Sequence, residues 1–187
     1  LYLKLGYDPV KDFAPVTQGT SYMYVLVVPP AAPVKTLPDF IKLLQSKPGQ
    51  MTYGSTGIGG GNHMSVLLFE RFSKTQLKHV PYEGAGPATQ AILRGEVDFG
   101  ILSIASLLPW YKDKKIKILA VGSQERSPDA PDVPTFRELG YPEEFILTGW
   151  RVLVGPPAMP QPIVDRLNAL VNKAYEDPEV RGRFKAL

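Results

Sequence analysis

Few side chains in this 187-residue sequence are equipped for chemistry. It has two histidines, His63 and His79, no cysteine, and a serine, Ser55, set among glycines. A metal site needs at least three ligands of suitable type, and neither histidine has a His-x-x-x-His or Glu-rich neighbourhood. Thiol chemistry and disulfides are excluded by composition. Ser55 does not sit in a Gly-x-Ser-x-Gly nucleophile elbow, because the order is Tyr53-Gly54-Ser55-Thr56-Gly57. Nothing in the sequence marks a base to activate it. The expectation is therefore no catalytic residue, no metal and no cofactor. His63 falls in a helical first turn, where a polar side chain steadies the preceding loop.

What the sequence does offer is backbone. Tyr53-Gly54-Ser55-Thr56-Gly57-Ile58-Gly59-Gly60-Gly61-Asn62-His63 follows a short strand and precedes a helical run of Met64, Val66, Leu67, Leu68, Phe69 and Phe72. A strand, a glycine-rich turn and a helix start near Gly61 or Asn62 make a concave set of N–H groups, and the helix dipole favours an anion there. The Gly-Lys-Ser/Thr ending of a nucleotide P-loop is absent. Asn62 occupies the third glycine position of a dinucleotide fingerprint, and no acidic strand end follows about 20 residues on. A small carboxylate is the expected guest. The same pattern recurs after His79-Val80-Pro81-Tyr82, where Glu83-Gly84-Ala85-Gly86-Pro87 leads into a second helix. Glu83 is expected to point outward, since an inward carboxylate would repel an anion.

The flanking elements read as alternating strands and helices, which predicts a mostly parallel α/β sheet. Strands are expected at 14–18, 23–28, 77–82, 97–101, 116–121 and 151–154. Thr36 is the expected cap of a helix burying Phe40, Ile41, Leu43 and Leu44. A short helix is predicted over 103–110 and one or two helical turns over 135–139. A last helix begins at Pro160 or Gln161, with Ile163, Val164, Leu167, Leu170, Val171 and Ala174 on its buried face. Tyr82 and Trp150 lie at strand edges beside glycines.

Composition describes an ordinary globular chain of one large domain or two small lobes, 44% hydrophobic and 21% charged. The net charge of +3 is scattered. Its nearest approach to a basic run, Lys112, Lys114, Lys115 and Lys117, is broken by Asp113, so no nucleic-acid partner is expected. No apolar run has the roughly 18 residues of a membrane-spanning helix. The sequence opens without Met and closes within an apparent helix, which reads as a fragment whose signal peptide is absent.

Several segments resemble one family. They are Tyr7-Asp8-Pro9-Val10-Lys11-Asp12-Phe13-Ala14-Pro15-Val16, the Tyr53 to His63 glycine stretch, His79-Val80-Pro81-Tyr82-x-Gly84 and Gly95-x-Val97-Asp98. Arg126-Ser127-Pro128 with Pro131-Asp132-Val133-Pro134-Thr135, and Asp177-Pro178-Glu179-Val180-Arg181, complete the set. Together they resemble the Bug/TctC extracytoplasmic solute receptors of tripartite tricarboxylate transporters. The resemblance implies a periplasmic-binding-protein fold, type II-like, with two α/β lobes closing on a ligand. It places a complete second lobe at 16–145 and remnants of the first lobe at 1–15 and 146–187. The N-terminal part of the first lobe and the extreme C-terminus are lacking.

By the same resemblance the protein is periplasmic, is not an enzyme, and passes a small carboxylic acid to membrane permease subunits. A monomer is expected when full length. Ser55, Thr56, Gly57, Gly61 and Asn62 match the loop receiving one carboxylate; Tyr82, Gly84 and Ala85 match the second; Ser103 matches a polar position facing the cleft. Leu102 stands where the family commonly has an acidic residue, which points to a ligand without an amine. A ligand-sensing regulatory domain of similar fold is the alternative reading.

Overall fold

A computed structural model describes residues 5–185. The elements in chain order are β1 (Ala14–Val28), α1 (Leu37–Ser46), β2 (Thr52–Ser55), α2 (Gly61–Ser73), β3 (Lys78–Pro81) and α3 (Ala85–Arg94). Then follow β4 (Phe99–Ser103), α4 (Ile104–Lys112), β5 (Lys117–Val121), β6 (Thr148–Gly155), α5 (Gln161–Glu176) and α6 (Pro178–Lys185). The chain divides into two compact units. The larger is Tyr22–Gly149; the smaller combines residues 5–21 with 150–185. Residues 1–4 and 186–187, assigned above to the first-lobe remnants, lie outside the described residues.

In the larger unit the strand order is β3-β2-β4-β1-β5. β2 pairs in parallel with β3 (Tyr53 opposite His79) and with β4 (Tyr53 opposite Phe99). β1 runs antiparallel to β4 and to β5. Four strands thus point one way and β1 runs against them, a reversal that periodicity does not disclose. Val25, Leu26, Val27 and Val28 are wholly buried because both faces of β1 are covered, and such a strand reads alike in either direction. Tyr24, Leu26 and Val28 join Phe40, Tyr53, Phe69, Phe99 and Phe136 on one face. Val25 and Val27 join Ala88, Ile92, Leu102 and Leu107 on the other.

α1 is capped as expected: the Thr36 hydroxyl accepts the Asp39 N–H (3.3 Å) and donates to its carboxylate (2.6 Å). α2 starts at Gly61, within the expected range, and buries a mixed face. Met64, Leu67 and Phe72 are exposed, and the buried face carries Asn62, His63 and Ser65 beside Val66 and Phe69. Polar groups are inward here because they brace the preceding loop. Residues 136–140 form turns rather than a helix, with Thr135 bridging to Val121.

In the smaller unit β6 pairs with β1. The two strands expected at 14–18 and 23–28 are one continuous strand. Gly19 makes no turn; a Cβ there would lie 2.8 Å from the Tyr175 hydroxyl, so the glycine permits a close approach to α5. The side-chain amide of Asn168 donates to the Val16 carbonyl (2.7 Å) and ties α5 to β1. Of the face expected to be buried on α5, Val164 is buried, whereas Ile163, Leu170 and Ala174 are exposed.

Candidate ligand site

β2, β3 and β4 are adjacent and parallel, so their carboxyl ends share one edge of the sheet, the edge where open α/β sheets hold ligands. From these ends start α2, α3 and α4. None of the three has a side-chain cap: the N-cap residues are Gly60, Gly84 and Ser103. The capped helix α1 begins at the opposite edge, since it follows the reversed strand β1. Uncapped helix starts leave their first N–H groups for solvent or a guest. The loops 55–61 and 82–84 contain no lysine or arginine, and their one charged side chain, Glu83, is exposed.

The first loop is folded by two glycines with positive φ, Gly57 (125°) and Gly59 (80°). Both of their N–H groups are engaged from beneath. The Gly57 N–H donates to the Ser55 hydroxyl (3.1 Å), and the Gly59 N–H donates to Nδ1 of His63 (3.0 Å). The donors left at the loop's end are the N–H groups of Gly61, Asn62 and His63, ahead of the first helical bond from Met64 N–H to the Gly60 carbonyl (3.0 Å). Gly61 is held to glycine by close packing, because a Cβ there would lie 2.5 Å from the Tyr24 hydroxyl.

The side chains named by the sequence divide by what they touch. Ser55 is fully buried and faces the loop rather than solvent. Thr56 donates to Oδ1 of Asn62 (2.7 Å), whose Nδ2 donates to the Ile101 carbonyl (2.8 Å), so these two bind the loop to β4. Tyr82 closes the second loop onto the first through its N–H to the Ser55 carbonyl (3.0 Å), and its ring lies against Gly54. Gly84 has φ 110° and caps α3 with backbone alone, leaving the Ala85 and Gly86 N–H groups ahead of the first helical bond at Ala88 (3.4 Å). Ser103 occupies the N-cap position of α4 without a side-chain bond to the helix, and its carbonyl accepts the Ser106 hydroxyl (2.8 Å). Leu102 is wholly buried in the core.

His79 is the residue that sequence reasoning missed. Its Nε2 lies 2.6 Å from the Ser55 hydroxyl, so a base does stand beside this serine, contrary to expectation. Its ring stacks on His63 (centroids 4.1 Å apart, 9° between planes) and on Tyr53 (4.9 Å, 15°). Burial, reinforced by His63, lowers the His79 pKa from its ordinary 6.5. Two charged imidazoles at that spacing would repel by about 4 kcal/mol at an effective dielectric of 20. Burial, with the Glu70 carboxylate nearby, raises the Tyr53 hydroxyl to about 12. Burial also raises Glu70 itself, against the opposing bond it accepts from the Leu77 N–H (2.7 Å). The Ser55–His79 contact lacks an open face: the serine oxygen is enclosed, and it also contacts both the N–H and the carbonyl of Gly57. Among the described residues no group of three or more His, Cys, Asp or Glu is placed to hold a metal.

Comparison with known proteins identifies the family. The chain is 34% identical to the UPF0065 protein in the tcbD-tcbE intergenic region of Pseudomonas sp. strain P51, over all of this chain and 55% of the relative. It superposes with a TM-score of 0.91 on MatC from Rhodopseudomonas palustris, solved with bound malate, at 36% identity over all of this chain and 63% of that one. A second R. palustris protein, Rpa4515, solved with adipate, matches with a TM-score of 0.85 at 28% identity, over 96% of this chain and 60% of that one. The chain thus spans a little over half the length of the curated relative and under two thirds of these solved chains. The profile of the tripartite tricarboxylate transporter family receptor, TctC, matches residues 1–186. By that match and by an α/β fold shared with its solved relatives, the chain belongs to the TctC receptor family, whose members are solute-binding receptors of the periplasmic-binding-protein type.

Proposed function

We propose that this chain is part of an extracytoplasmic receptor that captures a small carboxylic acid and delivers it to the membrane permease of a tripartite tricarboxylate transporter, without chemical turnover. One observation carries the reading. Three helices start uncapped at one sheet edge, two of them behind glycine loops that hold no cationic side chain. Such an edge suits an anion small enough to be satisfied by N–H groups, and a carboxylate accepts several of them at once. Hydrogen bonds to a charged group contribute about 1.5–3 kcal/mol each, so a handful reaches the roughly −8 kcal/mol of micromolar binding. The ligands recorded in MatC and Rpa4515, malate and adipate, are both small dicarboxylates.

The full-length protein should be titrated calorimetrically with malate, adipate and a panel of small mono- and tricarboxylates. Saturable binding of one of them, weakened at least tenfold by Gly84→Val, is expected. A valine cannot hold φ near 110° without strain, so the second loop would be rebuilt. A folded, full-length protein that binds none of these acids would sink the carboxylate reading.

A further inference from the structure

The glycine loop is held from below at two points, and each hold runs to a histidine. We infer that His63 and His79 are positioning residues for the anion-receiving loop. His63 acts directly on the Gly59 peptide, and His79 acts on the Gly57 peptide through Ser55. This deepens the carboxylate reading above and rests on it for the ligand, but not for the loop geometry.

The argument starts from donors and acceptors. A backbone N–H only donates, so Nδ1 of His63 must carry a free lone pair to accept from Gly59 at 3.0 Å. That fixes the neutral ring as the tautomer with its proton on Nε2. The Ser55 oxygen accepts the Gly57 N–H at 3.1 Å, and its own proton is directed at His79 Nε2 (2.6 Å) or at the Gly57 carbonyl (3.2 Å). Either way the imidazole fixes the serine rotamer. The two rings stack on each other and on Tyr53, so they brace the loop as one unit. With the Gly57 and Gly59 N–H groups turned inward, the peptides between and after them take up a single arrangement. In that arrangement the Gly61, Asn62 and His63 donors are preset for a guest. Preset donors lower the ordering cost of binding. A merely packed histidine pair would need no lone pair aimed at a glycine N–H.

Three measurements on the full-length protein test this. In ligand-free wild type, ring 15N shifts of His63 should show Nδ1 unprotonated and Nε2 protonated; a protonated Nδ1 would overturn the assignment without any variant. His63→Phe keeps a stacking ring and removes the acceptor. It should speed Gly59 amide exchange at least tenfold and raise the malate Kd at least tenfold. His63→Asn puts an oxygen near the Nδ1 position and should recover most of both effects, even if its smaller side chain lowers Tm. His79→Phe and His79→Gln should behave likewise at Gly57. Equal behaviour of the Phe and Asn variants at Gly59, or wild-type exchange in both, would reduce the histidines to packing. If Gly59 exchange follows the acceptor but no acid binds wild type, the loop assignment stands and the carboxylate reading falls.

Discussion

A serine hydroxyl 2.6 Å from an imidazole is the contact that activates a nucleophile in many hydrolases, yet Ser55 is enclosed and braces a loop. The same burial leaves a pH signature at two residues. His79 is held below 6.5, so the unfolded chain binds the extra proton, and its contribution is present above pH 6.5 and lost as pH falls through the folded value. Glu70 is shifted the other way, upward from 4.5. Its contribution is complete below about pH 4.5 and is lost as pH rises through the folded value. Glu70→Gln keeps an oxygen for the Leu77 N–H and removes the buried charge. It should raise Tm near pH 7 and give no gain near pH 4, measured by scanning calorimetry across that range. An equal gain at both would show that packing, not charge burial, is responsible. The glycines and the role of His63 were legible in the sequence because they are local. The bond from His79 to Ser55 was not, because it crosses 24 positions and depends on the β2–β3 register.

At the scale of elements, the contrast between α1 and α2 separates stability from binding. α1 has a Thr36–Asp39 cap; α2 starts behind Gly60, whose φ of −67° and ψ of 161° suit any residue. A Cβ at Gly60 would meet only ordinary contacts, 3.5 Å from the Gly57 carbonyl and the Thr56 hydroxyl. Gly60→Asp should therefore supply the missing cap, worth a few tenths of a kcal/mol over glycine, and a favourable dipole contact of about 0.3–1 kcal/mol. Tm should rise by a few degrees while affinity for the carboxylate that the full-length protein is found to bind falls at least tenfold, because the new carboxylate takes the N–H groups proposed for the guest. A variant that is stabilised and still binds normally would show that this helix start is not the site. Helix starts and short strands were readable from caps and periodicity. The unbroken β1 was not, since Gly19-Thr20-Ser21 carries turn chemistry that its neighbours override, and neither was the reversal of β1 against four co-directional strands.

For the whole molecule, the uneven distribution of buried apolar surface sets the order of opening. Both core clusters lie in the larger unit and meet at β1, where Val25 to Val28 are wholly buried. In the smaller unit Trp150 is 62% exposed, and Val152, Leu153, Val154, Ile163 and Leu170 are exposed as well. Those side chains add little to the stability of their unit, because apolar groups stabilise a fold in proportion to the area removed from water. Amide exchange of this chain should accordingly be slowest at Val25 to Val28, Ile101, Leu102, Ala120 and Val121, at rates set by global unfolding. Amides of 152–154 and of α5 should exchange through smaller openings, at least a hundredfold faster, without the larger unit opening. Asn168 binds the Val16 carbonyl (2.7 Å), so Asn168→Ala should speed exchange in α5 and leave Val25 to Val28 unchanged. Equal protection across both sets, or a simultaneous rise in both on Asn168→Ala, would mean that β1 couples the two units into a single cooperative block.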